Sequence, residues 1–224
     1  MRTAKAEPAI LTPVAVLDLW WRPGALFDQL RNRWTWIPAY VQTAVLLGIG
    51  TAVSYSHVLY VNEQAFIQQG VSPAIINMVL TSTKVGFLLV PLVSPFVTPT
   101  LLAYLLLFLS AFLNIRVRFG KLFALVMWSF IPYTGLHYLI QALLTPTIQA
   151  QSVGMIDLSL GVVLPHTVSP VVRAFAGQLN PFYLWSLYLL AAGFAKLMRR
   201  PIRDGLICSG VVLAIRLLIT LAVL

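Results

Sequence analysis

Residues 86–109, GFLLVPLVSPFVTPTLLAYLLLFL, form an apolar run whose first half has a proline at every fourth position. Steps of four residues place Pro91, Pro95 and Pro99 near one face of a helix, and each ring removes one backbone hydrogen bond. As a helix, residues 84–113 would be roughly 45 Å long, against about 30 Å of bilayer hydrocarbon. We therefore expect a bent, interfacial segment around Pro91 and Pro95, and a regular membrane span that begins near Thr98 or Pro99.

The three prolines have two interpretations. Carbonyls freed by proline inside a membrane need other donors, and we expect Ser94, Thr98, Thr100 or trapped water to supply them. Helices broken in this way form substrate sites in some transporters, but those helices occur in repeat-related pairs. The chain has no second proline-broken span and no internal repeat. The sequence therefore favours an architectural role, in which the prolines bend the helix.

The composition of the chain is that of a membrane protein. Of its 224 residues, 59% are hydrophobic and 9% are charged, and the mean hydropathy is +0.88, whereas about a quarter of the residues in soluble domains are charged. Runs long enough to cross the hydrocarbon occur at 36–58, 90–113, 121–144, 181–198 and 205–224. The predicted fold is therefore an all-α integral membrane protein, with a five-transmembrane-helix bundle in one membrane domain, residues 36–224.

Basic residues are concentrated on one side of this predicted topology. Twelve of the fifteen lysines and arginines precede the first span or lie in two turns, which contain Arg116, Arg118 and Lys121, and Lys196, Arg199, Arg200 and Arg203. The positive-inside rule then places the N-terminus in the cytoplasm and the C-terminus on the far side. The net charge is +9, and we expect the basic side chains to contact anionic lipid headgroups of the bilayer. Nucleic acid is not an expected partner, because the charge is divided among short separate segments.

Residues 1–35 are predicted to form a cytoplasmic N-terminal arm with an amphipathic helix. In RPGALFDQLRNRW, residues 22–34, Leu26, Phe27, Leu30 and Trp34 are spaced as one helical face, opposite polar and charged residues. Such a helix either lies in the membrane interface or packs beneath the bundle. The sequence leaves these two alternatives open.

The sequence contains no pattern typical of catalysis or metal binding. All six acidic residues lie in predicted loops or at span ends, so no span has a carboxylate for ion coupling. The histidines are far apart, the single cysteine, Cys208, has no disulfide partner, and HExxH and glycine-rich phosphate-loop motifs do not occur. We therefore predict a protein that is not an enzyme, with no catalytic residues, cofactor or metal.

Two intramembrane polar residues need an explanation. Arg216 lies within the fifth predicted span, where a charge costs about 2.5–3.5 kcal/mol. It is expected to extend outward to lipid phosphates or, as an alternative, to pair with Asp157 in the 145–180 loop. His137 lies in the third span and is interpreted as a hydrogen-bonded histidine of the bundle rather than a ligand. The 145–180 loop is semi-apolar and is predicted to fold over the outer face as a re-entrant or interfacial segment, with a docking surface as the alternative.

Three stretches resemble the Yip domain family, five-span membrane proteins named for their interaction with Ypt/Rab GTPases. They are RPGALFDQLRNRW at 22–34, RFGKLFALVMWSFIPYTGLHYLI at 118–140 and, above all, LNPFYLWSLYLLAAGFAKLMRRPIRDGL at 179–206. The last combines Trp185, Leu189, Leu190 and Gly193 with a basic turn and a short final span. The resemblance covers roughly residues 22–222. It implies a five-helix bundle with a cytoplasmic N-terminus, which agrees with the orientation inferred from charge.

The resemblance also suggests a function. Eukaryotic members are linked to Rab GTPases and vesicle traffic, but this sequence does not contain the acidic-Leu-Tyr-Gly-Pro motif that precedes their first span. The chain therefore looks like a bacterial-type member, located in the bacterial cytoplasmic membrane, and some bacterial relatives are associated with ATP-driven export. We predict a non-enzymatic scaffold or accessory subunit that binds a membrane-protein partner or its own copies. The alternative is a small permease or lipid-moving protein.

Overall fold

The computed structural model describes residues 19–32, 35–147, 153, 156–165 and 167–222. The helices are α1 (Pro23–Asn32), α2 (Ile37–Gln68), α3 (Pro73–Phe112), α4 (Phe119–Ser129), a π-helix (Ile131–His137), α5 (Tyr138–Leu144), a 3₁₀ helix (Leu160–Val163), α6 (Pro170–Gln178), α7 (Pro181–Met198) and α8 (Ile202–Ala222). None of the described residues lies in a strand.

The helices confirm the predicted all-α membrane architecture. By length and hydropathy α2, α3, α7 and α8 are each able to cross a membrane. A fifth span is formed if α4 is taken together with the π-helix and α5, which follow it after a bend of 42°. Residues 1–18, the first half of the predicted N-terminal arm, lie outside the described residues, as does Trp34 of the predicted amphipathic helix. Which side of the membrane each terminus occupies stays a prediction.

Helix α4 is the centre of the bundle. Every residue from 122 to 129 is buried, including Trp128, which is fully enclosed. A helix that is apolar on all sides has to be surrounded by other helices or by lipid, and α4 packs against α2, α3 and α7. The indole nitrogen of Trp128 donates to the carbonyl oxygen of Thr35 at 2.9 Å. This bond ties the centre of the bundle to the segment that leads into α2.

The π-helix continues this span and changes its direction. It begins after Phe130, whose carbonyl oxygen accepts bonds from the amide and the hydroxyl of Thr134 at 2.8 and 2.7 Å. Pro132 has no amide hydrogen, so the regular pattern of backbone hydrogen bonds along the helix is interrupted here. Gly135 faces α2 closely, since a Cβ added at this position would lie 2.7 Å from Leu46 Cδ1. The predicted third span, 121–144, therefore corresponds to a bent pair of helical segments rather than to one straight helix.

Helices α2 and α3 form a hairpin that is longer than predicted. The sequence predicted spans at 36–58 and 90–113 with a loop between them, but the helices continue through most of that loop and leave a turn at 69–72, where Gly70 has φ +71. Polar residues such as Asn62 and Glu63 lower the hydropathy there without ending a helix, and Pro73 is favourable at a first turn. The helices are roughly 48 and 60 Å long, more than the 40–45 Å of a whole bilayer with its headgroups.

The prediction of a separate segment before Thr98 was wrong, because α3 is one continuous helix through all three prolines. Pro91, Pro95 and Pro99 are buried, and they lie on the same helical face as the buried residues that follow them in α3. The Tyr40 hydroxyl donates to the Leu92 carbonyl at 3.2 Å, but the carbonyls that lose a donor to the prolines are those of Phe87, Pro91 and Pro95, four residues before each ring. Which groups satisfy these three carbonyls stays a prediction. Whether the prolines bend α3 stays a prediction.

Helix α1 packs beneath the bundle, which is the second of the two alternatives. Leu26, Phe27 and Leu30 are at most 1% exposed, and the helix lies against α7. Gly193 of α7 makes room for this contact, because a Cβ there would lie 2.7 Å from Phe27 Cε1. The relation of α1 to the membrane surface stays a prediction.

The segment between α5 and α7 packs at the opposite end of the bundle from the two basic turns. The 3₁₀ helix pairs with the end of α6, where the Leu160 amide donates to the Leu179 carbonyl at 3.3 Å. Gln178 Nε2 donates to Thr220 Oγ1 of α8 at 3.1 Å. The described part of the predicted loop is therefore partly helical and rests on the end of the last span.

Candidate functional site

The two basic turns meet at one end of the bundle and enclose a pocket. The turn between α3 and α4 and the turn between α7 and α8 both contain a residue in the left-handed region, Asn114 and Arg199, each with φ 53. The pocket has a volume of about 640 Å³. Its lining, which we call the basic pocket, consists of Arg31, Ile115, Arg116, Val117, Arg118, Lys121, Leu197, Met198 and Arg199.

The basic pocket carries positive charge without matching negative charge. Among the residues that the structure describes, Arg116, Arg118, Lys121 and Arg199 form no ion pair. Arg31 lies 3.8 Å from Asp28, yet its Nε is buried and has no hydrogen-bond partner. Helix α4 also begins here, so the free amides of its first turn add positive potential. This arrangement suits a ligand that carries negative charge.

Two of the other three predicted basic residues, Lys196 and Arg200, connect the turns to neighbouring elements. Lys196 Nζ lies 3.1 Å from Asp28 Oδ2 and so connects α7 to α1. Arg200 Nη2 donates to the Leu113 carbonyl at 2.9 Å. Its Nε lies 3.7 Å from Asp204 Oδ2, and Arg203 Nε lies 4.0 Å from Asp204 Oδ1. Of the seven basic residues predicted for the two turns, four line the pocket, Lys196 and Arg200 join structural elements, and Arg203 is exposed beside Asp204 of its own helix.

Arg216 contacts tyrosines of neighbouring helices, and among the described residues it forms no ion pair with Asp157. Its expected contact with lipid stays a prediction. Its Nη2 donates to the Tyr133 hydroxyl at 2.7 Å. Its guanidinium carbon lies 4.0 Å from the centre of the Tyr183 ring and 4.9 Å from that of Tyr133. The Asp157 carboxylate instead accepts bonds from Ser159. Cation–π contact with two rings compensates part of the cost of a charge in this position.

His137 takes part in a neighbouring hydrogen-bond arrangement. Its Nε2 lies 2.9 Å from Asn180 Nδ2, and its ring stacks on Tyr133 with centroids 5.2 Å apart. Asn180 also caps α7, because its Oδ1 accepts from the amides of Phe182 and Tyr183 at 2.9 and 3.3 Å. Asn180 was not predicted as a capping residue, although asparagine directly before a proline at a helix start is a typical capping signal. No metal-ligating cluster of three occurs among the described residues.

Comparison with known proteins supports a single family. The family model for the Yip1 domain matches residues 17–224. No curated protein and no solved structure matches the chain. Because the matched region contains all the described helices, the family assignment and the bundle refer to the same part of the chain. This membrane protein belongs to the Yip1 domain family.

Proposed function

We propose that this Yip1 domain protein is a non-enzymatic scaffold or accessory subunit, and that its basic pocket binds an acidic segment of a partner membrane complex. The observation that carries the proposal is the set of four cationic side chains in one pocket that have no ion pair among the described residues. Like charges that line one pocket repel one another, and a bound anion relieves that repulsion. The pocket is therefore better matched to an acidic partner than to solvent alone.

Three buried hydroxyls of the spans support a scaffold more than a permease, whereas the hydroxyls of Ser129 and Ser186 are buried without a hydrogen-bond partner. Thr43, Ser54 and Ser110 donate to carbonyl oxygens four residues earlier in their own helices, at 2.9, 2.9 and 2.7 Å. Such bonds satisfy each hydroxyl within its helix. A permeation path needs polar groups directed toward a shared channel, and these three groups are already occupied.

The orientation predicted from charge would place the basic pocket in the cytoplasm, where a soluble or juxtamembrane segment of a partner can reach it. The bacterial cytoplasmic membrane is the proposed location. An ATP-driven export complex, or a complex in membrane trafficking, is the kind of partner that the family resemblance suggests. Self-association into a homo-oligomer is the alternative to a different partner.

The proposal is tested by purifying the tagged full-length protein from its native membrane in mild detergent and identifying bound proteins by mass spectrometry. The test variant is the double substitution Arg116→Gln with Arg118→Gln, which removes two pocket charges. Arg203→Gln is the matched control, because its side chain is 83% exposed and lies outside the pocket lining. We expect a stoichiometric partner with the wild type and the control, and its loss with the double variant and at high salt.

Two results would contradict the proposal. Purification of the protein alone, with neither a partner nor a second copy, would remove the support for a scaffold or accessory subunit. A partner retained by the double variant would show that another surface holds it. Identification of the chain itself as the retained protein would assign the homo-oligomer.

A further inference from the structure

A groove runs along the side of the bundle between α3 and α8, at the level of the π-helix. Its volume is about 540 Å³. The facing parts of the two helices, Thr98 to Leu105 and Val212 to Ile219, each contain eight residues and are roughly 10 Å long. The lining consists of Thr98, Leu101, Leu102, Leu105, Phe130, Tyr133, Tyr183, Val212, Ile215, Arg216, Ile219 and Thr220. The groove is thus almost entirely apolar.

Arg216 is the one charged side chain of that lining. It lies six residues before Ala222, so it is roughly 9 Å from the end of α8 that is remote from the basic turns. Among the described residues it forms no ion pair. A guanidinium has five N–H donors, and two tyrosines do not exhaust them or neutralise the charge. A charge of this kind within a span indicates a functional contact.

The guanidinium is held in place rather than free to reach solvent. Tyr133, which accepts its hydrogen bond, belongs to the π-helix, a form frequently found at functional sites. The Tyr133 ring is itself fixed by stacking on His137 and by an edge contact with Tyr183 at 5.0 Å. The cation therefore stands at a defined position beside an apolar wall.

We propose that this groove binds one anionic phospholipid of the surrounding membrane. The negatively charged headgroup accepts hydrogen bonds from Arg216, and an acyl chain lies along Leu101, Leu105 and Ile215. Charge complementarity selects the occupant, because a lipid without net charge leaves the cation uncompensated, and a free anion makes no use of the apolar wall. The position of Arg216 assigns the lipid to the leaflet remote from the basic turns. This inference does not depend on the partner proposed for the basic pocket.

The test is native mass spectrometry of the full-length protein in mild detergent, titrated with phosphatidylglycerol or with phosphatidylcholine of the same acyl chains. We expect the wild type to retain one phosphatidylglycerol at least tenfold more tightly than phosphatidylcholine. Arg216→Leu should abolish that preference, whereas Arg216→Lys should keep part of it. The double variant Arg116→Gln with Arg118→Gln should keep it fully, since those residues lie in the other site.

A second variant makes the test independent of any folding defect caused by removing Arg216. Leu101 is 66% exposed, so Leu101→Trp fills the groove without disturbing the core and should reduce binding of both lipids. Equal affinity of the wild type for the two lipids would overturn the proposal. Undiminished preference in Arg216→Leu, or loss of preference in the Arg116 and Arg118 double variant, would overturn it as well, and the latter would transfer lipid binding to the basic pocket.

Discussion

The contact between α7 and α8 predicts a strong effect of one added methyl group. Gly205 of α8 lies against the backbone of α7, so that a Cβ added there would stand 2.1 Å from the carbonyl oxygen of Ala191 and 2.8 Å from its carbonyl carbon. Ordinary van der Waals contact begins at 3.4 Å. In Gly205→Ala the two helices must therefore separate locally by about 1.3 Å, the difference between these distances. The obstacle is backbone, which cannot turn aside as a side chain can.

The size of the effect follows from two opposing terms. Overpacking costs about 1–3 kcal/mol, and the upper end applies where the neighbour is rigid. The higher helix propensity of alanine offsets about 1 kcal/mol of this loss in unfolding free energy, relative to glycine. We expect a net loss of about 2 kcal/mol, which lowers Tm by roughly 4–8 °C for a chain of this size. The measurement is thermal unfolding in mild detergent at one fixed scan rate, followed through the intrinsic tryptophan fluorescence.

Gly210→Ala is the matched control on the same helix. A Cβ at Gly210 meets nothing within 4 Å, so this variant has only the propensity gain and should be as stable as the wild type or slightly more stable. The comparison cancels effects of detergent and scan rate. If Gly205→Ala unfolds at the same temperature as Gly210→Ala, the close approach of α7 and α8 is not as the structure describes it.

Three further substitutions have distinct expected outcomes. Trp128→Phe removes the bond to the Thr35 carbonyl and should destabilise the protein by about 1–3 kcal/mol, measured as a fall in Tm, because a polar group loses its partner. Asn180→Ala should cost about 1 kcal/mol in the same assay through loss of the α7 cap, and Asn180→Ser should restore most of it. Lys196→Met breaks the pair with Asp28, but both side chains are about half exposed, so the change in unfolding free energy should stay below about 1 kcal/mol.

The sequence was sufficient to predict the bundle, because helices that cross a membrane are long and apolar. The start and end of α7 were predicted correctly at 181–198, where proline opens the helix and basic residues follow it. The boundaries of α2 and α3 were not predicted correctly. Hydropathy indicates where a helix leaves the hydrocarbon, but the backbone can remain helical beyond that point. Polar residues around Asn62 and Lys84 lowered the hydropathy while the backbone remained helical.

The candidate site was predictable only in part for a different reason. Charge patterning showed that two turns would lie on one side, but not which side chains would face a common pocket. That division depends on Asp28 and Asp204, which draw Lys196 and Arg200 into pairs across helix boundaries. The partners of Arg216 come from two other helices at Tyr133 and Tyr183. No local spacing connects them to Arg216, so sequence reasoning had no signal for this contact.

The length of the α2–α3 hairpin has a mechanical consequence. From Pro73 at the tip to Pro91, the first of the three buried prolines, α3 spans eighteen residues, or roughly 27 Å of continuous helix. A rotation of about 10° at Pro91 would then displace the tip sideways by roughly 5 Å over that length. The hairpin therefore resembles a lever that pivots at Pro91. A sideways force at Gly70 is applied at its far end, so a small force there produces a large torque on the bundle.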